Sequence, residues 1–253
     1  MIGRDYEYNA MANSERTLWW YRCLHALTLR QIKRFSGSPR PAILDAGCGT
    51  GGMLSYLQQK GYHDIEGFDY SAYAVDYLNR TYGLNTKVLS ILELDAGATE
   101  RSLFDVVISN DVLTVLPVDT HEQAIERLLS VLRPGGILVM NLAALHAFRG
   151  MHDVALDMQK RYSKKEMRRL VGDKAVIRRM LFWPFFLSPL IFAIRWSQRL
   201  RLRAGKKDFV SDVKTPPAVL NSLFYGLTTL ENRLLPVKPW GSSLLTVIQK
   251  KTA

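Results

Sequence analysis

The sequence predicts an α/β fold, a doubly wound seven-stranded sheet with a helical insertion between its last two strands. Mainly apolar runs such as 42–44, 104–109 and 137–141 are typical of strands buried on both sides of a parallel sheet. Segments with helical periodicity, such as 120–132, alternate with these runs. A glycine-rich turn follows the first run, at the edge where such sheets bind ligands.

The composition excludes several classes of protein. A chain of 253 residues is long enough for one α/β domain with added elements. Cys23 and Cys48 are its two cysteines, too few for a disulfide framework or a cysteine-rich zinc site, and they fit a reducing compartment. We expect no metal site. The first residues, MIGRDYEYNAM, carry acids and lack an apolar core, so we expect no signal peptide.

The net charge of +11 is unevenly distributed along the chain. Residues 1–142 hold 13 Lys/Arg and 16 Asp/Glu, whereas residues 143–253 hold 21 and 7. The excess of positive charge therefore lies in the C-terminal part. A basic surface of this kind indicates nucleic acid, anionic lipid or an acidic substrate as a partner.

The sequence AILDAGCGTGG at 42–52 is the strongest functional signal in the chain. An apolar strand ends at Asp45 and is followed by a turn with four glycines, Gly47, Gly49, Gly51 and Gly52. Glycines at this density let the backbone approach a ligand closely, and the helix predicted from Met53 offers free amide groups to an anion or a polar ligand head. The alternative is a plain turn without a ligand.

The glycine spacing alone also matches the dinucleotide pattern G-x-G-x-x-G. An ionised Asp45 would repel a pyrophosphate on this loop but would suit a ligand with cationic groups, such as the ammonium and sulfonium of S-adenosylmethionine. D-x-G-x-G-x-G after an apolar strand resembles the first motif of class I S-adenosylmethionine-dependent methyltransferases, whose fold is Rossmann-like. The resemblance implies S-adenosyl-L-methionine as cofactor, with Asp45, Gly47, Cys48 and Gly49 among its contacts.

The second predicted strand, 64–69, ends in Asp69. Asp69 follows Asp45 by about the 20 residues expected for the carboxylate that accepts hydrogen bonds from the ribose hydroxyls. The alternative is that Asp69 only caps the following helix. In the resembled family the next residue, here Tyr70, commonly lies against the adenine. The third strand, 87–91, is weak, and no acid of this region can be assigned to the adenine amine.

The fourth strand, 104–109, brings Asn110 to the ligand-binding edge, and we include Asn110 among the cofactor contacts. The Asn/Asp-Pro-Pro-aromatic motif of amino-methylating DNA enzymes is absent at this point, so nucleic acid is an improbable substrate. The sequence LRPGG at 132–136, before the fifth strand, resembles the family strongly. The specific resemblance covers residues 41–142.

Residues 1–40 are predicted to form an N-terminal region with an aromatic helix over 14–35, started by Ser14. Its cluster Trp19-Trp20-Tyr21 either packs against the core or closes as a lid over cofactor and substrate. Methyltransferases of the resembled family often begin with such a helix, and both interpretations stay open.

Two residues after the fifth strand are candidates for removing a proton from the acceptor, His152 and Tyr162. They belong to a segment rich in titratable groups that we expect to cross the mouth of the site, and its HD followed by RYS resembles a subset of small-molecule methyltransferases. A solvated charged loop is the alternative. Ser163 and Glu166 form a capping box that starts a helix over 164–171, before a sixth strand at 175–177.

Residues 180–240 are predicted to be an insertion into a domain formed by 41–179 and 241–253. The stretch 180–194 has no charge but is too short to span a bilayer, and 195–207 carries six basic residues and no acid, Arg195, Arg199, Arg201, Arg203, Lys206 and Lys207. This combination is typical of a segment lying in a membrane interface. The alternative is a buried helix packed on the sheet or on an oligomer partner.

We therefore predict a methyltransferase acting on the oxygen or nitrogen of a hydrophobic or amphipathic small molecule, with a lipid-linked acceptor as an open option. The expected location is the cytoplasm, in contact with the inner face of an anionic membrane. The alternative is an RNA- or protein-directed module that binds S-adenosylmethionine without catalysis. An NAD oxidoreductase is disfavoured by Asp45 and LRPGG, and the oligomeric state is open.

Overall fold

The computed structural model describes residues 4–84, 86–203 and 215–252. Within these residues it contains a seven-stranded sheet of order β3-β2-β1-β4-β5-β7-β6. The strands are Ile43–Ala46 (β1), Ile65–Asp69 (β2), Lys87–Val88 (β3), Phe104–Asn110 (β4), Leu132–Ala143 (β5), Ala175–Trp183 (β6) and Ser243–Lys250 (β7). Strands β1 to β5 pair in parallel, and β7 runs antiparallel to both β5 and β6. The predicted fold class is confirmed.

The described helices lie on both faces of the sheet. They are Arg4–Ser14 (α1), Trp19–Phe35 (α2), Gly52–Gln59 (α3), Ala72–Tyr82 (α4), His121–Ser130 (α5), Met151–Ala155 (α6), Lys164–Val171 (α7), Ser188–Arg203 (α8) and Ala218–Leu234 (α9). The core on one face contains buried side chains of α5 and α7, and the core on the other face contains those of α2 and α3. The chain turns back across the sheet between β1 and β4, so the loops after these two strands diverge and leave a crevice for a ligand.

The N-terminal helix differs from the prediction of one helix over 14–35. Ser14 ends α1 instead of starting α2, because its carbonyl accepts hydrogen bonds from the amides of Thr17 and Leu18 at 3.0 and 2.7 Å. Leu18 is extended, with φ −62° and ψ 127°, and α2 begins at Trp19. The region before the sheet is therefore two helices joined by a turn.

The sixth strand is longer than the predicted 175–177. Residues 180–183, assigned from sequence to the insertion, continue β6 and pair with β7, where Trp183 lies opposite Ser243. An apolar run at the end of a strand cannot be distinguished by periodicity from the start of a buried helix. The insertion between β6 and β7 is otherwise confirmed, and consists in the described residues of α8 and α9.

Two further boundaries differ. Only Lys87–Val88 pair as β3, and the expected continuation to 91 becomes a single helical turn over Ile91–Glu93, capped by Ser90. The LRPGG segment, predicted as a turn before the fifth strand, forms the first residues of β5, with a register irregularity where β4 pairs with it. The helix after Ser163 and its capping box are confirmed.

The insertion is fixed to the N-terminal helices along one side. The Trp19 amide donates to Asn221 Oδ1 at 2.9 Å, and Arg30 donates to the Asn232 carbonyl at 2.6 Å, so α9 runs beside α2. Helix α8 instead meets α6, where the Met151 amide donates to Gln198 Oε1. Lys206 and Lys207 of the predicted basic run lie outside the described residues. No helix in the described part of the chain is long and apolar enough to cross a membrane.

Candidate functional site

The glycine loop between β1 and α3 is held close to the ends of its neighbouring strands. The amides of Gly47 and Cys48 both donate to the Phe68 carbonyl at 2.9 Å. Gly47 has φ +85°, and a Cβ at this position would lie 2.3 Å from Val112 Cγ2. Both the backbone conformation and the close contact with the segment after β4 require glycine there.

Asp69 lies at the end of β2, directly against this loop. Its Oδ2 accepts from the Gly49 amide at 2.9 Å, and its Oδ1 accepts from the Ser71 amide at 3.0 Å and from the Tyr8 hydroxyl at 2.9 Å. A carboxylate offers about four acceptor positions, and the Tyr70 amide also acts on Asp69, so a ligand donor would have to replace one of these four. The carboxylate predicted to bind ribose is therefore placed beside the loop, with α1 lying over it.

Glu15, in the turn between α1 and α2, is a site residue that sequence reasoning missed. Its carboxylate accepts from the Gly52 amide at 2.8 Å and from the Thr50 hydroxyl, so it caps the N-terminus of α3 from 35 or more residues away in the chain. A Cβ on Gly52 would lie 2.0 Å from Glu15 Oε2. No local pattern in the sequence signals this contact.

Asp45, Asp69 and Glu15 form a buried acidic cluster around the loop. They are 2%, 4% and 4% exposed, and none of them has an ion pair with another described residue. Burial, with repulsion by Asp69 and Glu15, raises the pKa of Asp45 to about 8. Burial raises the pKa of Glu15 to about 7 and also raises the pKa of Asp69. These acids are therefore costly to ionise without a positive charge beside them, which a cationic ligand would supply.

The end of β4 supplies a second set of polar groups. Asn110 Oδ1 is buried without a hydrogen-bond partner among the described residues, which leaves an acceptor for a ligand donor. Asp111 next to it has φ +60°, a left-handed conformation that is uncommon outside glycine. Its Oδ2 accepts from Asn141 Nδ2 at 2.9 Å, and Asn141 Oδ1 accepts from Trp183 Nε1 at 2.9 Å.

The Asp111 carboxyl, like Glu15, can hold a proton near neutral pH. Burial raises its pKa to about 7, while the hydrogen bond from Asn141 and the charge of Arg161 act in the opposite direction. Burial raises the pKa of Tyr21, and the charges of Glu15 and Asp111 add to this, so α2 brings Tyr21 close to both acids. Asp111 directly follows Asn110 at the end of β4, and no pattern in the sequence indicates this network.

The other predicted cofactor contacts lie at the same edge. Cys48 is buried, and burial together with Asp45 and Asp69 raises the pKa of its thiol. Tyr70, after Asp69, is 46% exposed at the end of β2. The structure therefore brings the predicted contacts together around β1, β2 and β4, Asp45, Gly47, Cys48, Gly49, Asp69, Tyr70 and Asn110.

The two candidate bases are placed differently. Tyr162 is 1% exposed in the core, and its hydroxyl is hydrogen-bonded to His121 Nδ1. Burial raises the pKa of this phenol, so the arrangement gives Tyr162 a packing role and does not support it as a base. His152 lies on α6, beside Asp153, which forms a buried ion pair with Arg161 at 2.5 Å. This segment is predicted from the sequence to cross the mouth of the site or to be a solvated loop. In the structure it is anchored by the ion pair between Asp153 and Arg161.

Among the described residues, no group of three or more His, Cys, Asp or Glu side chains could hold a metal ion.

Comparison with known proteins finds similarity to methyltransferases. A family model described as a methyltransferase domain matches residues 43–136. A malonyl-[acyl-carrier protein] O-methyltransferase of Enterobacter lignolyticus is 32% identical over 102 residues, which cover 40% of this chain and 39% of that protein. The chain thus aligns with well under half the length of this curated relative.

Solved structures share the fold over most of the chain. A putative methyltransferase from Haloferax volcanii, in complex with the Trm112 activator, matches with TM-score 0.59 and 18% identity, covering 98% of this chain and 95% of that one. The geranyl diphosphate C-methyltransferase of Streptomyces coelicolor matches with TM-score 0.54 and 17% identity, covering 89% and 76%. The [4+2]-cyclase SpnF matches with TM-score 0.57 and 16% identity, covering 92% and 83%.

Residues 43–136 are thus similar to a methyltransferase domain, and the described part of the chain has a class I Rossmann-like sheet. The resemblance predicted from D-x-G-x-G-x-G and LRPGG is confirmed. Because a cyclase shares the fold, activity has to be argued from the site itself.

Proposed function

We propose that this protein is an S-adenosylmethionine-dependent methyltransferase that acts on a hydrophobic or amphipathic small molecule at a membrane surface. The observation that carries the proposal is the buried acidic cluster of Asp45, Asp69 and Glu15 around a glycine loop. These acids have no cationic partner among the described residues, and S-adenosylmethionine is a ligand that brings two positive charges.

The residues present fit this cofactor. Gly47 and Gly49 keep the loop tight against Val112 and Met11, and the buried Oδ1 of Asn110 is an acceptor for a donor of the ligand. Asp69 would accept the ribose hydroxyls, with Tyr70 beside the base, and Asp45 and Glu15 would face the cationic end. Tyr8 now uses one acceptor position of Asp69, so binding of both hydroxyls requires α1 to shift.

When bound, the cofactor supplies an electrophilic methyl group. The residues of the protein then have three tasks, to align the acceptor, to exclude water and to hold a proton where the reaction releases one. Helix α1 and Tyr21 of α2 cover the acidic cluster, which limits access of water. The Asp111 carboxyl can take a proton, since its pKa lies near 7 and Asn141 fixes the orientation of its Oδ2.

The membrane part of the proposal rests on the exposed apolar surface of the insertion. Six large apolar side chains of the segment 186–200 are 38–52% exposed, Phe186, Leu190, Phe192, Ile194, Trp196 and Leu200. Helix α9 and the loop after it add seven more, Val219, Leu220, Leu223, Leu230, Leu234, Val237 and Trp240. We call these residues the apolar surface. An apolar area of this extent marks an interaction site, and the basic residues of α8 make an anionic membrane a fitting partner.

The same observations bear on the alternative of a helix buried against the sheet. Trp196 is 52% exposed and Arg199 of the same helix lies over its ring at 5.3 Å, while Phe192 one turn earlier contacts Phe148, so this side of α8 is only partly covered. Two names among the similar proteins support a small or carrier-linked acceptor. One is a malonyl-[acyl-carrier protein] O-methyltransferase, and the other is a geranyl diphosphate C-methyltransferase. We propose an oxygen or nitrogen atom as the methyl acceptor.

The activity is tested with S-adenosylmethionine labelled in the methyl group, incubated with the protein and a total lipid extract. We expect label in the organic phase with the wild type and none with Asp69→Ala. The matched control is Asp76→Ala, an exposed acid on α4 that should retain full transfer. If the folded wild-type protein binds the cofactor but transfers no label to lipid, soluble metabolite or RNA, the enzymatic assignment is overturned in favour of a non-catalytic module.

A further inference from the structure

A basic cleft lies at the lateral edge of the sheet, away from the site described above. It is a cavity of about 420 Å³ between α7 and β6, and four of its lining side chains are cationic, Lys164, Arg168, Arg178 and Arg179. The other four lining residues carry no charge. Strand β6 is four strands from β1, which places the cleft about 19 Å from the glycine loop at roughly 4.8 Å per strand.

The four cations of the basic cleft are not neutralised by the protein. None of them has an ion pair or hydrogen bond to another described residue, although Lys164 Nζ lies over the Phe182 ring at 4.9 Å. Asp173 is not part of the lining, and Glu166 is engaged by Ser163 and Lys160. Positive charge gathered in a concave surface without acids attracts anions.

The basic groups around the cleft repel one another, and this repulsion is reflected in lowered pKa values. Burial and Arg168 lower the pKa of Lys164, whereas the pKa of Arg179 is lowered by burial and by Arg34 and Arg30 of α2, which packs on the other face of the sheet. An anionic ligand in the cleft would relieve the repulsion between Lys164 and Arg168 on binding.

The bulge in β6 and the position of two of the cations on a helix argue against an additional β-strand as the occupant of the cleft. Positive residues on an edge strand commonly prevent sheets from associating, and this can account for Arg178. It does not account for Lys164 and Arg168, which project from a helix. The register of β6 shifts between Ile177 and Arg179, and such a bulge hinders the addition of another strand while re-aiming the side chain at the bulge.

We propose that the basic cleft binds a ligand bearing a phosphate or pyrophosphate group. Arginine guanidinium groups match phosphate oxygens in pairs of parallel hydrogen bonds, and Arg168 from the helix and Arg178 from the strand face the same cavity. The site is separate from the cofactor site, so ligand binding there does not depend on the proposed methyl transfer.

The test is isothermal titration of the full-length protein with inorganic pyrophosphate at about 0.15 M salt, where exposed charges are screened beyond about 8 Å. We expect saturable binding of one pyrophosphate, weakened at least tenfold in the double variant R168Q/R178Q. Arg169→Gln is the matched control, because Arg169 is exposed on the same helix but does not line the cleft. Thermal unfolding and S-adenosylhomocysteine binding should be unchanged in all variants.

Two results would overturn the proposal. One is no saturation with the folded wild type, and the other is equal weakening by R169Q, which would mean general attraction to a basic surface. Flotation with phosphatidylglycerol vesicles identifies the source of the phosphate. Vesicle binding that survives in R168Q/R178Q supports a soluble phosphate ligand, and vesicle binding lost together with pyrophosphate binding supports a lipid headgroup.

Discussion

The Tyr8 hydroxyl donates to Oδ1 of Asp69 at 2.9 Å, so the N-terminal helix occupies an acceptor that the proposed ribose contact needs. Tyr8→Phe should therefore tighten binding of S-adenosylhomocysteine, by about 2- to 10-fold if the competing hydrogen bond has a net value of roughly 0.5–1.5 kcal/mol. Titration calorimetry measures the change. Tyr6→Phe is the control, since Tyr6 is 55% exposed on the same helix. Weaker binding by Tyr8→Phe would show that the hydroxyl helps to hold the cofactor.

Stability of the cofactor-free protein should fall as pH rises from about 5 to 8. Asp45 and Glu15 have pKa values of about 8 and 7 in the folded protein, and ordinary values near 4 when unfolded. The folded protein thus retains protons that the unfolded chain has released, and the free energy of unfolding declines across this window. Thermal unfolding in a pH series measures it.

S-adenosylmethionine should offset this fall in the free energy of unfolding, because its positive charges can stabilise the ionised forms of Asp45 and Glu15 in place of their protons. The rise in melting temperature on adding the cofactor should be larger at pH 8 than at pH 6. Asp45→Asn should flatten the pH dependence of the free protein, and the exposed Asp76→Asn should leave it unchanged. A cofactor-induced rise that is the same at both pH values would show that no proton is displaced from the cluster.

Asp111→Asn should lower turnover by about 10²–10⁴ if the reaction releases a proton, while leaving cofactor affinity within a factor of three. The substitution keeps the size of the side chain and removes its capacity to take a proton near pH 7. His152→Ala tests the remaining sequence-predicted base in the same assay. Retained activity in Asp111→Asn together with loss in His152→Ala would transfer the proton-accepting role to His152.

Tyr162→Phe should affect stability and not turnover. The change removes the partner of His121 Nδ1 in the core, at a cost of about 1–3 kcal/mol for a buried polar group left unpaired. Urea unfolding measures the loss, with activity per folded molecule as the second readout. A fall in turnover without loss of stability would restore the predicted catalytic role of Tyr162.

The apolar surface should hold the protein on vesicles of anionic lipid. The triple substitution of Ile194, Trp196 and Leu200 by Ser removes exposed apolar area and should reduce flotation even at low salt. Replacing Arg199 and Arg201 by Glu should reduce it in a manner that depends on salt, since each basic residue near an anionic surface adds about 1 kcal/mol. Val118→Ser is the control, because Val118 is 50% exposed outside the insertion.

Folded wild-type protein that does not float at low salt would end the membrane part of the proposal. The cofactor site would be untouched by that result, because the acidic cluster and the apolar surface share no residues.

The parts of the site that the sequence predicts are those built from neighbouring residues. The glycine loop follows Asp45 within a few positions, and Asp69 ends the next strand, so strand order alone brings them together. The contacts that the sequence could not predict join residues that are far apart in the chain. Tyr8 meets Asp69 across 61 positions and Trp183 meets Asn141 across 42. Only the packing of α1 and of β6 decides them.

The boundaries that differed have the same origin. Residues 180–183 are apolar enough for a buried helix or a strand, and their pairing with β7 decides for the strand. Tyr162 carries a side chain able to act in catalysis, yet the bridge between Ala144 and Tyr162 fixes it in the core beside His121. Residue type indicates what a side chain can do, whereas the fold determines where it does it.

The most direct test of the account is titration of the folded protein with S-adenosylmethionine, in the wild type and in Asp69→Asn and Gly47→Val. We predict binding of one cofactor by the wild type. Asp69→Asn should weaken it by about 1–3 kcal/mol, and Gly47→Val should abolish it, since a side chain at Gly47 would collide with Val112. Wild-type protein that is folded and binds no S-adenosylmethionine, or affinity unchanged in both variants, would contradict the assignment of the site.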